Sequence, residues 1–171
     1  NFNSNLVLNA QSPNAVVEAD EFDRSFLQLS PFAAIITAAD PDHLDIYGTP
    51  EAFKEGFRQF ALRIDPNGYC LQKEGLNLST LCQSKTYALD SATADFSAYN
   101  LRFENGFQVA DFRIEKQTWT AVELGLPGSH NVENALGCVA LLLELGFEQT
   151  AIRNALKCFK GVKRRFEYQV R

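Results

Sequence analysis

Ala33-Ala34-Ile35-Ile36-Thr37-Ala38-Ala39-Asp40-Pro41-Asp42-His43-Leu44-Asp45-Ile46-Tyr47-Gly48 is the stretch on which the fold turns. It opens with a short apolar run, bounded by Pro31 before it and acidic residues after it. Such a run reads as a strand buried on both faces, as in a parallel sheet. It then breaks into Asp40-Pro41-Asp42-His43-Leu44-Asp45. Carboxylates and an imidazole thus follow the carboxyl end of a buried strand, where open α/β sheets bind their ligands. Upstream, Ala15-Val16-Val17 runs into Glu18-Ala19-Asp20-Glu21-Phe22-Asp23 in the same way. Two buried strands ending in acids suggest a metal or phosphate site between them. The alternative is two acid-rich surface loops.

Downstream of this stretch, Thr49-Pro50-Glu51 starts a helix, with Thr49 as N-cap and Pro50 at its first position. Phe53, Phe57, Phe60, Ala61 and Ile64 share one face of it. Asp65-Pro66-Asn67-Gly68 is a turn. Strands are expected over Tyr69–Gln72 and Lys85–Leu89, with a short helix over Leu76–Cys82. Upstream, Asn1–Asn9 reads as an edge strand and Ala15–Glu18 as a core strand. Phe22, Phe26 and Leu29 are spaced as on a short helix. From about residue 95 the pattern alternates. Asn105-Gly106 between Tyr99-Leu101-Phe103 and Phe107-Val109 is a strong hairpin signal. A third strand over Thr118–Leu126 completes an antiparallel insert spanning about 95–126. Two helices follow, over Val132–Leu145 and Gln149–Phe159, closed by Gly146 and Gly161. The fold class is therefore α/β: a mainly parallel sheet with helices on both faces and a small antiparallel insert.

Of 171 residues, 46% are hydrophobic and 22% charged, which fits one globular domain with a sizeable core. A net charge of −5 argues against a non-specific nucleic-acid surface. No apolar run is long enough to span a bilayer, and no signal-peptide pattern is visible, so no membrane partner is expected. The four cysteines, Cys70, Cys82, Cys138 and Cys158, form no CxxC pair. They read as small buried hydrophobes in a reducing, cytoplasmic compartment. With no methionine and a start inside a strand-like run, the chain reads as a domain excised from a longer protein. The sequence leaves the oligomeric state open.

Three groups of residues are candidates for chemistry. Glu18 and His43 follow the two buried runs and are the metal candidates; the carboxylate suits Mg2+ better than the imidazole does. His130-Asn131-Val132-Glu133-Asn134 opens an apolar helix. Free N–H groups there favour an anion or polar ligand, and Asn131 and Asn134 lie on one face. Their carboxamides match the donor–acceptor pattern of an adenine edge, while simple helix capping is the alternative. Lys163-Arg164-Arg165 is a basic cluster suited to phosphate or to a solvated surface.

Taken together and in order, VVEADEFDRSFLQLSP, DPDHLDIYG, LPGSHNVENALGCVALLLELG and ALKCFKGVKRRFE resemble the central domain of the Mur ligases. The resemblance runs from about Asn5 to Glu167. The EADE-x-D-x-SF form is similar to the branch that joins L-alanine to UDP-N-acetylmuramate and to a recycling branch that adds a tripeptide. DHLDIYG favours the first. The resemblance implies ATP-dependent amide formation through an acyl phosphate, with ATP and Mg2+ as cofactors. It implies that Glu18 and His43 hold Mg2+, that His130, Asn131 and Asn134 face adenine, and that Arg165 reaches the γ-phosphate. Arg165 and His43 would form the catalytic set. UDP-N-acetylmuramate and L-alanine would be partners of the full-length enzyme.

Two departures limit this expectation. The family's Gly-Lys-Thr phosphate loop does not occur in these residues, nor do the UDP-binding and amino-acid-binding domains. Residues 1–171 would then be one truncated central domain, inactive by itself, with weak or no hold on ATP and Mg2+. Neither Lys54 nor Arg58 is placed for the carbamylated lysine of some Mur ligases. A metal-dependent hydrolase using Glu18, Asp42 and His43, or a non-catalytic binding module, are the rival readings from other classes.

Overall fold

The computed structural model describes residues 11–42, 44–115 and 117–161. Among the described residues, six strands form one sheet in sequential order. They are β1 (Ala33–Ile36), β2 (Tyr69–Lys73), β3 (Gln83–Leu89), β4 (Phe96–Glu104), β5 (Phe107–Ile114) and β6 (Gln117–Leu124). β1 to β4 run parallel, and β4 to β6 are antiparallel. The expected antiparallel insert is thus the far half of the same sheet rather than a separate appendage. β4 belongs to both halves, pairing β3 on one edge and β5 on the other.

Period-two alternation sends neighbouring residues to opposite faces. Ala34, Ile36 and Cys70 pack with Phe26, Phe60, Ala61 and Ile64 on one face. Leu71, Tyr87 and Phe96 pack with Val132, Leu136 and Val139 on the other. Helix α2 (Pro50–Ala61) serves the first side, with α1 (Leu44–Tyr47) packed on it through the Tyr47 and Phe53 rings, and α3 (Ser129–Glu144) and α4 (Gln149–Cys158) serve the second. Thr49 Oγ1 accepts from Ala52 N at 3.1 Å and Pro50 opens α2, as the sequence pattern requires. Asn105 and Gly106 both adopt positive φ, 51° and 83°, which the twist of the hairpin demands.

Three expected elements are not formed. Ala15–Glu18 is not a strand: Val16 is 100% and Val17 65% exposed. An alternating or apolar run becomes a strand only where a neighbour supplies ladder bonds and a surface to bury against, and among the described residues these valines have neither. Leu76–Cys82 is not a helix. The buried Gln72 amide takes over the backbone there, accepting from Leu78 N at 2.8 Å and donating to Leu78 O at 3.1 Å. Around Phe22–Leu29 only a 3-10 turn over Ser25–Gln28 forms. Asp20 Oδ1 and Asp23 Oδ1 accept from the N–H groups two residues on, both at 2.9 Å, and so compete with helix formation. The expected edge strand over 1–9 lies outside the described residues, apart from which Cys138 and Cys158 are exposed rather than buried.

Candidate functional site

The acid-rich segment after Glu18 is pinned by the helix pair that follows β1. Tyr47 Oη donates to Glu21 O at 2.6 Å, and the Arg24 guanidinium lies 4.7 Å from the Tyr47 ring centre. A Cβ at Gly56 of α2 would meet Tyr47 Cε1 at 3.2 Å, so the helix approaches because that residue has no side chain. Hydrogen bonds from Ser25 hold the Asp23 carboxyl below its ordinary range.

An open trough of about 880 Å³ runs along the outer edge of β1. Glu18, Thr37, Asp40 and Asp42 give it polar groups, and Phe57 and Leu141 are among its apolar walls. Glu18 and Asp42, from the two acid-rich segments, therefore share one concavity. His43 lies outside the described residues, as does Arg165. Among the described residues no three His, Cys, Asp or Glu side chains converge as a metal site would require. Mg2+ characteristically takes one or two carboxylates and fills its shell with water and phosphate oxygens. The exposed Glu18 carboxylate at the trough fits that manner of binding.

The second candidate region is the start of α3. Gly128 turns the chain at φ 106°, with the His130 ring packed where a Cβ would sit, 3.0 Å away. Asn131 Nδ2 donates to Pro127 O at 2.6 Å, so this carboxamide serves the turn itself. It is not a helix cap: Gly128 holds the N-cap position, and no side-chain hydrogen bond caps the helix start. Asn134, one turn on, is exposed, as is His130. These residues do not line the trough; α3 enters it further along, through Leu141, with Leu145 just past its end.

Long-range contacts fix this helix start at the carboxyl ends of the parallel strands. Lys73, the last residue of β2, donates to Glu133 Oε2 at 2.9 Å. Gly137 packs against Ile35 of β1 and Tyr87 of β3. The fully buried Tyr87 donates to Ile36 O across a long 3.5 Å contact. Burial, with the nearby Glu133 carboxylate adding to it, holds the phenol above its ordinary pKa and keeps it protonated. Lys73 and Tyr87 belong to no motif read from the sequence, and Glu133, inside the motif that opens α3, carries no role in that reading. The one signal available for Lys73 is a lysine closing the apolar run Tyr69-Cys70-Leu71.

Among the described residues no helix is long and apolar enough to cross a membrane. Comparison with known proteins gives concordant results. Residues 4–142 match the family described as Mur ligase middle domain. A UDP-N-acetylmuramate–L-alanine ligase of Phocaeicola vulgatus is 40% identical over 173 aligned residues, covering 100% of this chain. The chain spans 38% of that relative's length. Among solved structures, the UDP-N-acetylmuramate–alanine ligase of Thermotoga maritima superposes with a TM-score of 0.74 at 28% identity, covering 86% of this chain and 34% of that one. The MurF ligase of Thermotoga maritima, solved in complex with ADP, shares the fold at a TM-score of 0.66 and 15% identity, over 81% of this chain and 33% of that one. With the matched family covering most of its residues and an α/β sheet of the same architecture, this chain belongs to the Mur ligase middle-domain family.

Proposed function

We propose that this chain is the ATP-handling middle portion of a UDP-N-acetylmuramate–L-alanine ligase, acting in cytoplasmic peptidoglycan synthesis. In such a ligase ATP phosphorylates the muramoyl carboxylate, and the L-alanine amine then displaces phosphate from the acyl phosphate. The substrate pair rests on the 40% identity with a protein of that name over the whole chain. The observation that carries the nucleotide part is the opening of α3. Its exposed His130 and Asn134 stand beside the Lys73–Glu133 pair, at the carboxyl end of β2. Ligands of open α/β sheets bind at such ends.

In this reading the Asn134 carboxamide and His130 meet the adenine edge, while Asn131 shapes the turn that presents them. Glu18, with His43, holds Mg2+, which when bound offsets negative charge on the transferring phosphoryl group. Arg165 supplies a guanidinium to the γ-phosphate. By itself the 171-residue chain is inactive in amide formation, since its residues include no glycine-rich Gly-Lys-Thr phosphate loop.

The test is phosphate release by the full-length protein given ATP, Mg2+, UDP-N-acetylmuramate and L-alanine. Release that needs all four supports the assignment. Release with a tripeptide but not with L-alanine would place the protein in the recycling branch. Hydrolysis of a phosphoester without ATP would favour the metal-dependent hydrolase instead.

A further inference from the structure

Lys73 and Glu133 are 2.9 Å apart and join β2 to α3 at the turn flanked by Asn131 and Asn134. Their side chains are 43% and 18% exposed, so the lysine reaches in from the rim and the carboxylate is largely covered. Glu133 lies three residues after His130 and so shares its helix face. A carboxylate at this point stands among the groups proposed to meet the nucleotide. Without a cation beside it, it would oppose the approach of a polyphosphate and offset the anion preference of the helix start. The sheet supplies that cation from the end of its second strand.

We propose that Lys73 is a positioning residue for nucleotide binding, acting through Glu133: it neutralises that carboxylate, so that the start of α3 stays receptive to an anionic ligand. This rests on the reading of the α3 start as the adenine site. It assigns Lys73 no contact with the nucleotide. A direct phosphate ligand and a charge mask therefore give opposite results when Glu133 is also neutralised.

The experiment uses the full-length ligase, a non-hydrolysable ATP analogue with Mg2+, and calorimetry at low and high salt. Lys73→Met should weaken binding about tenfold, more at low than at high salt, because a uniform charge is being unmasked near an anion. Lys73→Met combined with Glu133→Gln should return affinity to within about twofold of the parent, since the unpaired charge is then gone. The KM for ATP should follow the same order while kcat at saturating ATP stays within about twofold. Lys73→Arg, which keeps the pair, should bind like the parent and serves if Lys73→Met does not fold. An unchanged Lys73→Met, or a double variant as weak as the single one, would overturn the proposal. A parent enzyme that binds no nucleotide would overturn the adenine-site reading itself, and this inference with it.

Discussion

Gly137 of α3 lies directly over the ring of Tyr87: a Cβ at residue 137 would stand 3.0 Å from Tyr87 Cζ and 3.2 Å from Ile35 Cγ2. Both residues are buried, and the tyrosine is completely so. This contact sets how closely α3 approaches the parallel strands, and so where its first turn stands relative to their ends. In Gly137→Ala the helix gains about 1 kcal/mol of propensity, but overpacking a closed core costs about 1–3 kcal/mol. The ring has no solvent to move into, so a net loss of stability of about 1 kcal/mol is expected in a urea titration. A stabilised variant would show that the helix can lift without cost.

The loop leading into α3 depends on a second glycine. A Cβ at Gly125 would fall 2.2 Å from Phe159 O and 2.8 Å from Lys157 O, both backbone atoms. Gly125 N also donates to Leu156 O at 3.0 Å, seating the end of α4 on this loop. No side-chain rotation relieves such a clash, so Gly125→Ala should cost at least the upper part of the usual 1–3 kcal/mol for overpacking. The denaturation midpoint is the readout; parental stability would mean that α4 is not seated on this loop.

Asp111 ties together two irregularities of the antiparallel half. Its carboxylate accepts from Ala121 N at 2.8 Å, from Asn100 Nδ2 at 2.8 Å and from Arg102 at 3.2 Å. Ala121 and Asn100 both have positive φ at the register shifts of β4, β5 and β6. The Ala121 N–H first, then the side chains of Asn100 and Arg102, hold the Asp111 carboxyl below its ordinary range. Because the folded pKa lies below the unfolded one, the stabilisation is present above about pH 4 and is lost as pH falls through the folded value. Asp111→Ala should cost about 1–3 kcal/mol at neutral pH, and the gap to the parent should close in acid. A pH-independent gap would remove the carboxylate from this account.

What could be read from the chain was local. Thr49-Pro50 and Asn105-Gly106 carry their outcome in a few adjacent residues, because a cap and a hairpin turn are satisfied within one turn of backbone. Ala33–Ile36 was legible as a strand because its apolar run finds partners on both faces of the sheet. Ala15–Glu18 has the same kind of run but no covering layer among the described residues, and sequence cannot tell the two apart. Leu76–Cys82 fails for a related reason: its backbone partner is the side chain of Gln72, which lies in another element. At the site, the acidic segments and the opening of α3 were visible as residue types. Asn131's commitment to Pro127 O and the Lys73–Glu133 pair depend on distances that no spacing rule encodes.

The central claim is that these residues hold an adenine-facing turn but not a complete nucleotide site, and a nuclear magnetic resonance titration of the 171-residue chain tests it most directly. With Mg2+ and a non-hydrolysable ATP analogue, a few polar contacts of roughly 1.5–3 kcal/mol each must offset an association cost of roughly 4–15 kcal/mol, which leaves a dissociation constant on the order of millimolar. The expected result is a millimolar midpoint, with the largest shifts at His130 and the Asn134 carboxamide. A micromolar midpoint, or saturation that leaves the first turns of α3 unmoved, would contradict the account.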